Sequence, residues 1–216
     1  MKIKLSKRLQ EIAKMVKYPT MADIGTDHGH LPVYMMQEKL ADKVLATDIN
    51  PEPLARAKRN IAEAGLSSFV QMSQCNGLDG VNPSDYKTCV ISGMGGRLII
   101  DILRHNLACA HDFKQIVLSP QRDVGDVRLF LHHNGFCIDN EKMLEEKGKF
   151  YNILDVSPGH ETYHDEKDYI FGKILLQKKC KVLKKFAEIE AEKARKIGRS
   201  ELKGYLQLCL EVIKCL

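Results

Sequence analysis

Apolar residues along this 216-residue chain follow first one period and then another. Leu5, Leu9, Ile12 and Val16 recur at helical spacing and predict an amphipathic helix over 3–17, ended by Tyr18-Pro19. Short apolar runs then alternate with helical stretches. Strands are expected at 20–24, at 43–47 (running into Asp48), and at 69–73, 88–92 and 115–118; helices are expected at 31–40, 51–64, 97–106 and 123–133. Asn50 reads as an N-cap, Pro51-Glu52 as an opening turn and Gly65 as a stop. Beyond 133 the rhythm changes, and strand-like stretches 136–144 and 150–156, joined by 145–149, predict a hairpin. Five strand–helix units closed by a hairpin predict an α/β fold: a doubly wound, Rossmann-like, mostly parallel sheet with an antiparallel strand at one edge.

From 166 onward Phe171, Ile174, Leu175, Val182, Phe186, Ile189, Leu202, Tyr205, Leu206, Val212 and Ile213 alternate with charges at helical spacing. Gly198-Arg199-Ser200 breaks the run, so two antiparallel helices are expected, forming an extended hairpin or coiled-coil-like arm that leans on the main domain. Ser157-Pro158-Gly159 is the natural boundary, dividing the chain into 1–160 and 161–216. Charge follows that division. Residues 1–17 carry six basic side chains against Glu11, and 171–205 carry eleven basic against four acidic. With the whole chain at +5, the middle section 18–170 stands at −7. Basic ends on an acidic body suit a polyanionic partner held by the ends, with Lys178, Lys181 and Lys185 as candidate phosphate contacts. A lysine-rich solvated helix face is the competing explanation.

No run of eighteen apolar residues and no secretory apolar stretch is evident, so neither a membrane span nor an export signal is expected, and the compartment is read as cytoplasmic. The seven cysteines are odd in number and lack a Cys-x-x-Cys pair, which reads as reduced core thiols. His28-x-His30 lacks a convincing third ligand, so no metal is expected. The chain is read as a monomer, with the C-terminal helices as the alternative dimer seam.

Candidate chemistry concentrates in Asp23-Ile24-Gly25-Thr26-Asp27-His28-Gly29-His30-Leu31-Pro32, a strand that breaks at glycine and reopens as a helix. A dinucleotide loop needs a glycine where Asp27 stands, and a carboxylate there repels a diphosphate. S-adenosylmethionine has no phosphate and carries a sulfonium and an ammonium, so the loop favours it. Asp48 lies where a carboxylate accepts ribose hydroxyls, and Asn76-Gly77 could hold an adenine edge; strand end, helix cap and turn are the alternative roles. Gly93-Met94-Gly95-Gly96 follows the fourth strand and permits close ligand approach. The strand layout resembles that of class I methyltransferases.

Together with Leu118-Ser119-Pro120-Gln121, Asn134-Gly135-Phe136 and Phe171-Gly172, these stretches resemble the bacterial tRNA adenine-22 N1-methyltransferase family over most of the chain. The resemblance implies a class I methyltransferase domain with a C-terminal helical hairpin, using S-adenosylmethionine to methylate N1 of a tRNA adenine. It places the cofactor at Gly25, Asp27, His28, Asp48, Asn76, Gly93 and Met94, with Gly77 beside them. Asp27 and His28 are the candidate catalytic pair, and Ser119, Pro120 and Gln121 the candidate lining of the base pocket. The chain departs from the family pattern at His30, where tyrosine is frequent, at Ser92, where cysteine is frequent, and at Ser119-Pro120-Gln121. A small-molecule or protein methyltransferase and a non-catalytic RNA-binding protein are the rival readings.

Overall fold

The computed structural model describes residues 3–216. A leading helix α1 (Lys7–Met15) precedes β1 (Thr20–Ile24), α2 (His30–Gln37), β2 (Lys43–Asp48), α3 (Pro51–Glu63) and β3 (Val70–Gln74). Then come β4 (Thr88–Ser92), α4 (Gly96–His105), α5 (Leu107–Asp112), β5 (Gln115–Ser119), α6 (Val124–His133), β6 (Phe136–Glu146) and β7 (Lys149–Pro158). The strands form one sheet in the order β3-β2-β1-β4-β5-β7-β6. The first five are parallel, and β7 pairs antiparallel with both β5 and β6. The antiparallel hairpin thus closes one edge of the sheet as expected, with β7 the inner and β6 the outer strand of the pair. The hairpin turn puts β7 back alongside β5, whose buried Ile116, Val117 and Leu118 face Val156, Asp155 and Leu154.

Central strands are buried on both faces, with Met21, Val44, Val90 and Val117 in one core and Ala22, Leu45, Cys89 and Ile116 in the other. That is why their sequences read as apolar runs. Their C-terminal ends, at Ile24, Asp48, Gln74, Ser92 and Ser119, therefore open on one edge of the sheet, where the strand order reverses about β1 and β4. α2 is shorter than the expected 31–40, because Lys39 turns left-handed at φ 56°. α5 was not expected, its six residues being too few for a helical period. The hairpin turn is narrower than 145–149: Lys147 and Gly148, at φ 51° and 74°, make the two-residue connection that matches strand twist.

α1 is fastened across the sheet by polar groups from distant strands. Buried Gln115 donates to Met15 O and Asp155 Oδ1 and accepts from the Lys17 backbone N–H, while Lys17 Nζ pairs with Asp155 at 2.8 Å. Ser6 caps the helix through Leu9 N, and the Glu146 carboxylate accepts from Lys7 N and Arg8 N.

The C-terminal segment holds the expected pair of helices, preceded by a short helical turn and helix of its own. A π-helical turn at Asp168–Gly172 leads through α7 (Lys173–Gln177) to α8 (Lys181–Ile197), a 3₁₀ turn at Ser200–Leu202 and α9 (Lys203–Cys215). Its apolar faces lean on the body, as expected. Leu183, Ala187, Cys209 and Val212 share a cluster with Met143 of β6, and Phe150 of β7 packs against it. Gly172, at φ 92°, is demanded twice over: a Cβ there would sit 2.6 Å from Glu141 Oε2 and 2.9 Å from Arg128 Nη2. The buried Arg128–Glu141 pair, 2.7 Å apart, also takes up the carbonyls of Tyr169 and Ile170 left over by the π turn. The seven cysteines are all free, and no helix among the described residues is long and apolar enough to cross a membrane.

Candidate active site

The first loop is built by backbone constraint. Gly25 stands at φ 73°, and a Cβ on it would lie 1.9 Å from the Met94 methyl, so the turn after β1 and the turn after β4 meet with no room for a side chain. The Thr26 N–H donates to Thr47 O at 2.7 Å, holding the loop against β2. His28 is left-handed at φ 61°, its carbonyl accepting from Asn60 Nδ2 of α3 at 2.8 Å, and α2 begins two residues later. The second glycine turn is zipped to the loop after β5. Ser119 O accepts from Gly93 N, Met94 O accepts from Gln121 N, and Arg122 O accepts from Gly96 N. Two stretches that are separate in sequence are one unit in space.

Between these turns lies a cavity of about 300 Å³, lined by Gly25, Asp27, His28, Gly93, Met94 and Gln121 together with Arg8, Leu9, Asp23, His30, Leu31 and Ser92. The second six were missed as site residues. Asp23 and His30 lay within the loop already singled out, whereas Arg8 had no local signal and reaches the cavity only because α1 crosses the sheet. Asp23 is buried, and burial pushes its carboxyl up to about 6 against the pull of Thr26 and Arg8. Asp27 is mostly exposed. Its Oδ1 lies 3.4 Å from His28 Nε2 and 3.5 Å from Arg56 Nη2. The His28 and His30 rings stack at 5.3 Å, and burial, then the neighbouring His28, holds the His30 imidazole below its usual range.

Asp48 closes β2 and accepts from Asn50 N at 2.8 Å, as a turn residue would; no hydrogen bond engages its second oxygen among the described residues. Asn50 occupies the N-cap position, but its side chain makes no capping bond. Cys75 N donates to Asp48 O, which sets Asn76 and Gly77 beside the Asp48 end of the sheet, and the half-exposed Ile49 offers an apolar face next to them. Of the expected base-pocket residues only Gln121 faces the cavity. Ser119 and Pro120 are buried, and Ser119 Oγ donates to Asn152 O at 3.0 Å. Gln121 also opens on a second cavity, about 230 Å³, between the 121–125 loop and the C-terminal helices, lined by Phe150, Asn152, Phe186 and Tyr205. Among the candidate phosphate contacts, Lys178 donates to Asn140 Oδ1 and Lys185 pairs with Glu145, so both fasten the arm to the body. Lys181 is exposed.

The donor set fits S-adenosylmethionine. Asp23 and Asp27 suit a cationic amino-acid end, the side-chain-free turn at Gly93 admits close approach, and Asp48 offers an acceptor for ribose hydroxyls. A family model described as a methyltransferase domain matches residues 5–154. The tRNA (adenine(22)-N(1))-methyltransferase of Bacillus subtilis (strain 168) is 34% identical over 158 residues, 73% of this chain and 66% of that enzyme. The crystal structure of the B. subtilis m1A22 tRNA methyltransferase TrmK superposes with a TM-score of 0.89 at 28% identity, covering 98% of this chain and 100% of that one. Streptococcus pneumoniae Sp1610, solved with S-adenosyl-L-methionine, superposes at 0.92 with 31% identity, covering 97% and 100%. With a methyltransferase domain matched over most of the chain and relatives of 34% and 31% identity, the chain belongs to the class I methyltransferases, in the family of the bacterial tRNA (adenine-22-N1)-methyltransferases.

Proposed function

We propose that this protein methylates N1 of adenine 22 in tRNA, using S-adenosylmethionine, in the cytoplasm. The observation that carries the reading is the meeting of the two glycine turns over a cavity walled by Asp23, Asp27 and the His28–His30 pair. Gly25, Asp27, His28, Asp48, Asn76, Gly77, Gly93 and Met94 hold the cofactor, joined by Asp23. When bound, the cofactor supplies an electrophilic methyl on a cationic sulfur.

Adenine N1 carries an in-plane lone pair and has no proton to lose, so the protein need not provide a general base. Its work is to unpair the base, orient it and exclude water. Gln121, at the junction of the two cavities, presents an amide to the acceptor side. Positive charge develops on the adenine as N1 is alkylated, and the Asp27 carboxylate at the cavity wall is the group placed to stabilise it, with the adjacent His28 imidazole fixing its direction. Arg56 tempers that carboxylate without burying it. On the RNA side, the exposed basic positions of the arm, Lys181 among them, meet phosphates.

Incubating the protein with methyl-labelled cofactor and total tRNA, then resolving nucleosides by mass spectrometry, tests cofactor, acceptor and modified atom together. Label in 1-methyladenosine mapped to position 22 is expected. Label appearing only in small metabolites or protein, or no label despite RNA binding, would replace this reading with one of its rivals.

A further inference from the structure

Arg8 is the one permanent cation among the described residues lining the cofactor cavity; the other charged or titratable groups there are Asp23, Asp27, His28 and His30. Its position is imposed from outside its own helix. Glu146 grips the backbone N–H groups of Lys7 and Arg8, and the guanidinium lies over the Tyr151 ring with Cζ 5.4 Å from the ring centre. Nη1 and Nη2 point at the glycine wall, 3.6 and 3.7 Å from where a Cβ on Gly93 would stand. Nη1 is shut off from solvent, yet it has no hydrogen-bond partner among the described residues. A guanidinium N–H withdrawn from water and left without an acceptor is costly, so one held in that state by tertiary contacts marks a place for an oxyanion.

We propose that Arg8 binds the carboxylate of the cofactor's amino-acid end, resting on the S-adenosylmethionine reading of this site. The amino-acid end of that molecule is a zwitterion, and the cavity offers a matching pair: the buried Asp23 carboxyl for the ammonium and the Arg8 guanidinium for the carboxylate. The two side chains already feel each other electrostatically, since Arg8 opposes the burial that raises Asp23. A phosphate of the target nucleotide has the same oxyanion chemistry. The wall that includes Asp23 and Asp27 repels a phosphate while matching a group that brings its own positive charge. The N-terminal helix thereby closes the amino-acid end of the site, a role that no loop glycine could fill.

The test compares S-adenosylhomocysteine with its decarboxylated analogue, which keeps the amine, thioether and adenosine but lacks the carboxylate. Calorimetry is run on the full-length protein, on Arg8→Gln and on Arg8→Lys, with circular dichroism and melting curves on each. Loss of a charge-assisted pair predicts a 10- to 100-fold weaker Kd for S-adenosylhomocysteine in Arg8→Gln, on the order of a typical ionic hydrogen bond. The analogue should bind the parent protein and Arg8→Gln within about threefold, because neither complex then holds the pair. Arg8→Lys should fall between, keeping the charge but losing the planar fork; should Arg8→Gln fail to fold, the two-ligand comparison on Arg8→Lys decides in its place. Equal losses for both ligands would overturn the proposal. So would an unchanged Kd accompanied by a raised KM for tRNA, which would assign Arg8 to a substrate phosphate. Failure of S-adenosylhomocysteine itself to bind the parent protein would overturn the cofactor reading and the role of Arg8 with it.

Discussion

Asp23 and Asp27 share a loop four residues apart and differ in almost everything physical. Asp27 is exposed and flanked by Arg56 and His28, whereas Asp23 is buried beneath the cavity and holds its proton until about pH 6. That shift has opposite consequences for stability and for binding. A carboxyl raised in the folded state stabilises the ligand-free protein fully below its ordinary pKa, and the contribution is lost as pH climbs from about 4 to about 6. Asp23→Asn, always neutral, should therefore raise the melting temperature of the ligand-free protein at pH 7.5 and leave it nearly unchanged at pH 4. If Asp23 receives the cofactor ammonium as proposed, binding needs the ionised form, so the parent protein's affinity should fall as pH drops through 6, approaching tenfold per unit, and Asp23→Asn should bind weakly with that part of the pH dependence gone. The difference between the two curves is therefore the measurement that matters. Identical pH profiles would remove Asp23 from the site.

At the scale of elements, the structure relies on short connections that distant residues hold in place. The π turn at Asp168–Gly172 leaves the carbonyls of Tyr169 and Ile170 for Arg128, which is itself neutralised by Glu141 inside the protein. Breaking a buried pair of this kind is expensive because the surviving charge stays buried. Gly172→Ala adds a Cβ into both partners and onto a backbone conformation that side chains avoid, so a loss of about 2–4 kcal/mol in unfolding free energy is expected by denaturant titration. S-adenosylhomocysteine affinity should survive, since the turn lies away from the cofactor cavity. A variant as stable as the parent would mean that the turn can relax without disturbing the pair. The same logic explains why Phe171-Gly172 stood out in the sequence while its purpose did not: the glycine answers to Glu141 and Arg128, which lie 31 and 44 positions away.

For the molecule as a whole, charge is distributed by where the chain ends pack. The C-terminal helices are joined to the β6–β7 hairpin by an apolar cluster and by Lys178 and Lys185, so their basic content divides into fasteners and exposed cations. Lys181 and Lys184 lie three positions apart on α8 and share a face. Reversing both, Lys181→Glu with Lys184→Glu, should weaken tRNA binding about tenfold at low salt and flatten the dependence of log Kd on log salt by about one for each phosphate no longer neutralised, while leaving S-adenosylhomocysteine binding unchanged. Filter binding across a salt series makes the check. An unaltered tRNA affinity would return this face to the role of a solvated surface.

The sequence alone determined what depends on neighbours along the chain. The apolar runs named the strands, Asp27 in place of a glycine argued against a diphosphate, and the two glycine turns marked the ligand edge, because strand period, turn geometry and loop charge are all encoded within a few residues. Only the tertiary structure decided what depends on partners far apart. It set β7 between β5 and β6, turned Ser119 and Pro120 into the core, and committed Lys178 and Lys185 to the body. It also carried Arg8 across the sheet by way of Glu146, 138 positions along the chain. A side chain's periodicity fixes the face on which it lies, but whether that face meets solvent, core or ligand is settled by long-range packing that no local pattern records.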